Sequence, residues 1–395
     1  MFWQNRFEKF IVHMQRHDLP LRFELWDGRS FDLGQQPKVV LKLRSAAALR
    51  HILPPSLDRL GHAYVEGEID LDGRLDDVLA VAVDLASHGS GHMRSRGPGL
   101  IRHTRKIDAE AITYHYDVSN EFYARWLDER MLYSCAYFGT GEESLEEAQT
   151  RKLDHILTKL RLRPGDRLLD IGCGWGALIM RAAEKYGARA MGVTLSHNQY
   201  ELARERIARA GLADRCEVRL EDYRDVSGRF DRISSVGMFE HVGLKNLRGY
   251  FTHMRELLAD DGVVLNHGIT AADPDSGSVP FGGGNFIERY VFPHGKVPHI
   301  GLVLKEMGAA GLEVVDAENL RRHYALTLHH WADRFESAGP ALRDLVGEKR
   351  WRIWRVYLAG TALGFERHWM ALFQVLAVKS GAAVLPLTRD YMYAA

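Results

Sequence analysis

The stretch RLLDIGCGWGALIMRAAEKY, Arg167 to Tyr186, reads as a short apolar strand, a glycine loop and an amphipathic helix. Gly172, Gly174 and Gly176 follow Asp170 at alternate positions, so the backbone can turn tightly and approach a ligand without Cβ atoms in the way. The helix behind the loop points its free N–H groups and positive dipole end back at it. This is the pattern of a cofactor cradle. On the loop alone, nicotinamide or flavin, S-adenosylmethionine and a purely structural tight turn stand as alternatives.

Downstream of this stretch, strand and helix alternate: RAMGV, a helix from about His197 to Ala210, CEVRL, DRISSV, a helix near Leu247 to Leu258, and GVVLNHGI. Strands separated by helices predict an α/β, doubly wound, mostly parallel sheet with right-handed crossovers. Its ligand site then lies outside the carboxyl ends of the strands. A nicotinamide site would carry an acid at the end of the second strand for the ribose hydroxyls; here GVTLSHNQ supplies Thr194, Ser196 and Gln199. After the third strand, LEDYRD offers Asp222 to an adenine amino group. Both details favour the methyl donor. Glu240, after DRISSV, and His267, near the end of GVVLNHGI, converge beside the cofactor if their strands are neighbours, about 4.8 Å apart. A capping carboxylate and a satisfied core histidine are the blander readings.

Toward the N-terminus, Tyr133-Ser134-Cys135-Ala136-Tyr137 reads as a loop with polar tips facing a cavity or partner, or else as core tyrosines and a small buried thiol. Residues 91–110 form a Gly/Ser/Pro-containing basic linker, whose Arg94, Arg96, Arg102, Arg105 and Lys106 are either a solvated tether or contacts for anionic lipid headgroups. Before it, residues 1–90 read as a small α+β domain with a Leu21–Leu25 hairpin strand and a third strand at KVVLKLRS. It opens on a basic amphipathic helix carrying Phe2, Trp3, Phe7, Phe10, Ile11 and Met14, suited to a membrane surface or to packing on its own domain. The third region, residues 111–395, is the catalytic domain. Within it, AADPDSGSVPFGGGNFIERYVFPHGKVPHI reads as a lid or substrate loop. Trp351, Trp354 and Tyr357 read as core or dimer contacts.

Composition sets bounds on partners and compartment. The 395 residues carry 52 basic and 52 acidic side chains, so no global attraction to nucleic acid is implied. Three scattered cysteines without a CxxC pair argue against a disulfide framework or zinc site and for a reducing, cytoplasmic compartment. The 19 histidines contain no HExxH-type spacing, and no metal site is expected.

YHYDVSNEFY, MLYSCAYF, LLDIGCGWG, GVTLS with Gln199, MFEHVG, LNHGIT, FIERYVFPHG and the Tyr324 segment occur in the order seen in cyclopropane-fatty-acyl-phospholipid synthases. The chain resembles that family from about Ile112 to Lys379, and more loosely through LGHAYVEGEIDLDG. The resemblance implies a Rossmann-like methyltransferase sheet preceded by a small lipid-handling domain. It also implies an enzyme that moves a methylene from S-adenosylmethionine onto a cis double bond of a phospholipid acyl chain. In similar enzymes the cofactor is held at the positions of Tyr133, Ser134, Gly172, Gly174, Thr194, Gln199, Asp222 and Tyr223, to which the cradle adds Asp170. A bicarbonate ion, taken as the base, is held at those of Cys135, Glu240, His267, the Ile269 backbone and Tyr324.

Methyl transfer to an alkene leaves a carbocation, which requires exclusion of water and is stabilised by aromatic faces, for which Tyr137 and Phe239 are candidates. The chain departs from the family at His294-Gly295, usually Gly-Gly, and at His267-Gly268-Ile269-Thr270, usually His-Thr-Ile-Gly. Those departures leave a methyl-branched or methylene product as the alternative to a ring, with a non-catalytic cofactor- or lipid-binding protein as a third reading. Expected partners are an unsaturated phospholipid, an anionic membrane surface met peripherally from the cytoplasmic side, and a second copy of the chain.

Overall fold

The computed structural model describes residues 2–89, 119–275, 279–292 and 297–393. The chain forms two compact units, and their composition differs from the expected boundaries. One unit comprises the described residues 2–89, 279–292 and 335–367; the other comprises 119–275, 297–334 and 368–393. Residues 111–395 are therefore not one continuous domain. The basic linker expected at 91–110 lies outside the described residues, as does His294-Gly295.

In the first unit, β1 (Leu21–Glu24), β2 (Ser30–Asp32), β3 (Val39–Leu43) and β4 (Ile69–Asp72) form a sheet in the order β2-β1-β3-β4, with β1 and β3 parallel. Burial alternates along β1 and β3, the sign of a sheet with one face on a core. The first helix, Phe2–Met14, contributes Phe7, Ile11 and Met14 to that core, where the Phe7 ring meets Phe23 edge-on at 5.4 Å. Its apolar stripe is thus used in packing, and of its described large apolar side chains only Trp3 and Val12 are exposed.

The expected lid contains a helix, Gly283–Tyr290, which belongs to this unit. Its Phe286 is buried and lies over Gly61, where a Cβ would come within 2.8 Å of the ring. Its Tyr290 hydroxyl meets His62 Nδ1 at 2.5 Å. Phe286, buried, and Tyr290, half-buried and held through its hydroxyl, anchor one face of a helix one turn apart where the sequence reads as an irregular segment. The helix Glu348–Glu366 buries Trp351, Trp354 and Tyr357, and its Arg352 donates to Asp70 at 2.8 Å while Arg355 donates to the Tyr64 hydroxyl at 2.9 Å.

The second unit is built on β5 (Arg167–Ile171), β6 (Arg189–Thr194), β7 (Cys216–Leu220), β8 (Phe230–Val236), β9 (Leu258–Ala271), β10 (Leu312–Asn319) and β11 (Met370–Lys379). Their order is β10-β11-β9-β8-β5-β6-β7, parallel from β9 through β7 and antiparallel at β11 and β10. Adjacent residues Leu168 and Leu169 fall into different apolar clusters. One cluster includes the helices Leu145–Lys159, Ala177–Tyr186 and His197–Arg209; the other includes Leu247–Leu257 and Ile300–Ala309. The sheet is thus covered on both faces, which is why its central strands read as nearly continuous apolar runs. Among the described residues no helix is long and apolar enough to cross a membrane.

Candidate active site

The turn after β5 is held in left-handed backbone at Gly172, Gly174 and Gly176, with φ of 79°, 54° and 83°. A Cβ at Gly172 would meet Met238 Cγ at 3.0 Å, so the position has neither the backbone freedom nor the space for a side chain. The N–H groups of Gly172 and Cys173 both donate to Val193 O at 3.0 Å, tying the loop to β6. In front of it lies a cavity lined by Tyr133, Ser134, Asp170, Gly172, Gly174, Thr194, Gln199 and Tyr223. At the end of β6 the Thr194 hydroxyl donates to Gln199 Oε1 at 2.7 Å, and the Ser196 hydroxyl caps the following helix by accepting from Gln199 N.

Asp222 is placed differently from the expectation. Its carboxylate accepts from Arg224 N and Nε at 2.9 Å and from Nη2 at 2.6 Å, and the cavity is lined instead by its neighbours Glu221 and Tyr223. Asp170 is buried and accepts from the Ser234 hydroxyl at 2.7 Å; burial pushes its carboxyl up to about 6. Three residues not singled out in the sequence also shape this cavity. Gln149 donates to Leu132 O and Ser134 O at 3.3 and 2.9 Å and so fixes the Tyr133-Ser134 loop. Lys152, 1 % exposed, donates from Nζ to Ser134 Oγ at 2.7 Å. Trp175 donates from Nε1 to Asn120 Oδ1 at 2.8 Å. The signal for the first two was polar residues on the apolar face of the helix Leu145–Lys159.

Beside the cavity, β8 and β9 are neighbours in register, with Val236 opposite His267. Gly237, in the cavity wall, donates from its N–H to His267 O at 2.8 Å. Glu240 sits on the short turn after β8, and its Oε1 accepts from Ile269 N at 2.7 Å. Its Oε2 is buried without a partner among the described residues, and burial lifts the carboxyl to about 7 against the pull of that N–H. His267 is 1 % exposed, and burial, with the nearby ammonium of Lys152, holds its pKa well below the usual imidazole value. Gln374 Nε2 lies 3.2 Å from His267 Nδ1. With the Gln374 amide oriented this way its nitrogen donates to Nδ1, which leaves the ring proton on Nε2, an atom with no partner among the described residues.

Cys135 is fully buried, its thiol donating to Ala136 O at 3.2 Å and lying 3.9 Å from Leu320 O, and burial pushes its pKa up. Tyr324 lies one turn beyond Leu320, buried, with its ring 6.0 Å from Trp331. Leu320 N donates to Leu372 O, and Leu372 is paired with Ile269 across β11 and β9. Cys135, Tyr324, Ile269, Glu240 and His267 are thus linked through neighbouring strands toward the carboxyl ends of β8 and β9, next to the cofactor cavity rather than in its wall.

Tyr137 does not serve as expected. Its ring is stacked between His155 at 4.1 Å and His323 at 4.7 Å, so both faces are covered. Phe239 is 2 % exposed and closes over Gly268, where a Cβ would come within 1.9 Å of Phe239 Cε1.

Residues 103–375 match the family described as mycolic acid cyclopropane synthetase, and residues 7–90 match a domain of unknown function. A probable fatty acid methyltransferase of Pseudomonas putida is 47 % identical over 385 residues, covering 96 % of this chain and 98 % of that protein. The cyclopropane-fatty-acyl-phospholipid synthase of Escherichia coli K12 is 34 % identical over 343 residues, covering 85 % and 87 %. Among solved structures, the cyclopropane synthase MmaA2 of Mycobacterium tuberculosis superposes with a TM-score of 0.67 at 32 % identity, covering 71 % of this chain and all of that one. The mycolic acid cyclopropane synthase CmaA1 complexed with SAH and CTAB gives 0.66 at 33 %, covering 72 % and all of that chain. With a family match over more than half its length, the chain belongs to the cyclopropane synthetase family and is an S-adenosylmethionine-dependent methyltransferase.

Proposed function

We propose that this enzyme adds one carbon from S-adenosylmethionine across the cis double bond of an unsaturated phospholipid acyl chain and closes it to a cyclopropane ring, with bicarbonate as the proton acceptor. The observation that supports this most directly is that Glu240 Oε2 and His267 Nε2, beside the cofactor cavity, are buried without partners among the described residues, as are Thr270 Oγ1 and Gln374 Oε1 on the neighbouring strand positions. Buried polar groups are nearly always satisfied, so these orphans together point to a small polar ligand between them. The donor set suits an oxyanion: a neutral imidazole with its proton on Nε2 and a carboxyl poised near neutrality.

S-adenosylmethionine supplies the electrophilic methyl group, and an alkene is a poor nucleophile, so positioning and exclusion of water carry most of the rate. Thr194, Gln199, Glu221 and Tyr223 would hold the nucleoside; Gly172 and Gly174 let the backbone approach it. Ring closure requires loss of one proton from the newly added methyl group. Bicarbonate held by Glu240, His267, the Ile269 region, Cys135 and Tyr324 would supply that base. His267 donates from Nε2, kept in that tautomer by Gln374, and Glu240 is held in place by Ile269 N–H.

A methyl-branched or methylene product is the second reading, favoured by the 47 % relative named as a probable fatty acid methyltransferase. The deciding experiment incubates the protein with S-adenosylmethionine and vesicles of monounsaturated phospholipid, then analyses the acyl chains. A gain of one CH₂ in a chain that resists mild hydrogenation supports the ring. The same gain in a chain that still hydrogenates supports the methylene reading, and a saturated branched chain, heavier by CH₄ and formed only when a hydride donor such as a reduced nicotinamide is added, supports the methyl-branched one. No gain in any acyl chain refutes both.

A further inference from the structure

The helix Leu145–Lys159 buries two lysines on one face, seven residues apart, and the fold treats them differently. Lys159, fully buried, is paired with Glu318 at 2.5 Å and Asp316 at 3.5 Å. Lys152, equally buried, forms no ion pair within 4.0 Å among the described residues; the carboxylates of Asp128 and Asp170 act on it only from farther off, and its contact is with the neutral Ser134 hydroxyl at 2.7 Å. A buried ammonium with no carboxylate in direct contact is costly, and natural proteins keep such charges only when something pairs with them. Lys152 lines the cofactor cavity, with Ser134 and Asp170, as do Thr194, Gln199 and Glu221. Thr194 ends β6, Gln199 sits on the helix after it and Glu221 follows β7, while Lys152 comes from the helix preceding β5.

We infer that Lys152 receives the α-carboxylate of S-adenosylmethionine, with Asp170 facing the α-ammonium of the same amino-acid end. The inference rests on the reading of the cavity as the methyl-donor site. Adenosine carries no anion, so a cation in this cavity has one matching group on the cofactor, the methionyl carboxylate. One cation and one anion lining the same cavity, each influencing the other's ionisation, complement a zwitterion. Gln149 supports the arrangement by holding Ser134 through its carbonyl, so that the hydroxyl bonded to Lys152 stays at the cavity wall.

The test compares two ligands by calorimetry: S-adenosylhomocysteine, which has the amino-acid end, and 5′-methylthioadenosine, which keeps the nucleoside and sulfur but lacks it. Lys152→Met is expected to weaken S-adenosylhomocysteine roughly 10- to 100-fold, the usual worth of a charge-assisted hydrogen bond, while 5′-methylthioadenosine changes less than about threefold. Equal losses for both ligands, or no loss for either, would overturn the inference. Should the variant fail to fold, wild-type protein gives an independent answer. Burial sets the free ammonium at about 8, and a bound carboxylate raises it, so S-adenosylhomocysteine binding near pH 9 takes up about one proton and 5′-methylthioadenosine binding takes up none. Binding without proton uptake refutes the role of Lys152 alone. Wild-type protein that binds neither compound refutes the reading of the cavity, and the inference with it.

Discussion

Replacing Glu240 with glutamine is expected to make the ligand-free protein more stable with rising pH while abolishing most turnover. Glu240 is buried, and its carboxyl is lifted from 4.5 to about 7. A group whose folded value is raised contributes its stability fully below the unfolded value and loses it as the pH climbs through the folded one. Here the loss accrues between pH 4.5 and about 7, and reaches about 3 kcal/mol above it, at 1.36 kcal/mol per pKa unit. Between pH 5 and pH 8 the same relation gives about 2.5 kcal/mol.

Glutamine does not ionise, and its carbonyl can still accept from Ile269 N, so any fixed cost of the substitution is the same at every pH. The stability difference between Glu240→Gln and wild type should therefore widen in favour of the variant by about 2.5 kcal/mol from pH 5 to pH 8. Urea unfolding of both proteins, free of ligand, at four or so pH values across that range measures it. S-adenosylhomocysteine binding should persist in the variant, and methylene transfer should fall by about 100-fold or more, the scale of losing an acid–base group. A difference that stays flat with pH would refute the account of the buried carboxylate, and wild-type turnover would remove Glu240 from the reaction.

Three further outcomes follow from other parts of the molecule. Gly268→Ala places a Cβ 1.9 Å from the Phe239 ring, and the displaced ring is expected to cost about 1–3 kcal/mol in urea unfolding and to shift the Glu240 turn, with activity lost. Lys159→Met leaves the Glu318 carboxylate, now held near 2 by His155 and Lys159, short of its cation. Unfolding should show a loss of about 3–5 kcal/mol at neutral pH, relieved in Lys159→Met combined with Glu318→Gln. Binding to anionic phospholipid vesicles, measured by co-sedimentation, should weaken with salt and with neutral replacements of Arg94, Arg96, Arg102, Arg105 and Lys106; salt-insensitive binding would take the basic stretch out of the membrane interaction.

The nucleotide-binding half of the fold was legible because its signals are local. A glycine loop between an apolar strand and an amphipathic helix needs no tertiary context, and strand ends on a parallel sheet place Glu240 and His267 together by topology. Residues whose environment comes from distant chain were not legible. β4 and β10 carry charged residues on short or edge strands, IDLD and LEVVDAEN, and lack a clean apolar alternation. Tyr137 looked available because nothing nearby in sequence reveals that His155 and His323 cover both its faces. Lys152 and Gln374 left a trace, as lone polar residues within apolar patterns, and such a mismatch between residue type and periodicity marks a site better than a motif does.

The first unit draws its last helix from Glu348–Glu366, and Val356 of that helix packs on the core that Phe7 and Leu21 begin. On the ribosome, the amino-terminal sheet therefore emerges whole by Asp72, but the core beneath it receives its last helix only when nearly the whole chain has been synthesised. Its Asp70 and Tyr64 wait for Arg352 and Arg355 across almost 300 residues of later sequence. A fragment ending near residue 90 would lack that helix, so vectorial synthesis leaves the part of the core that Val356 covers open until late in translation.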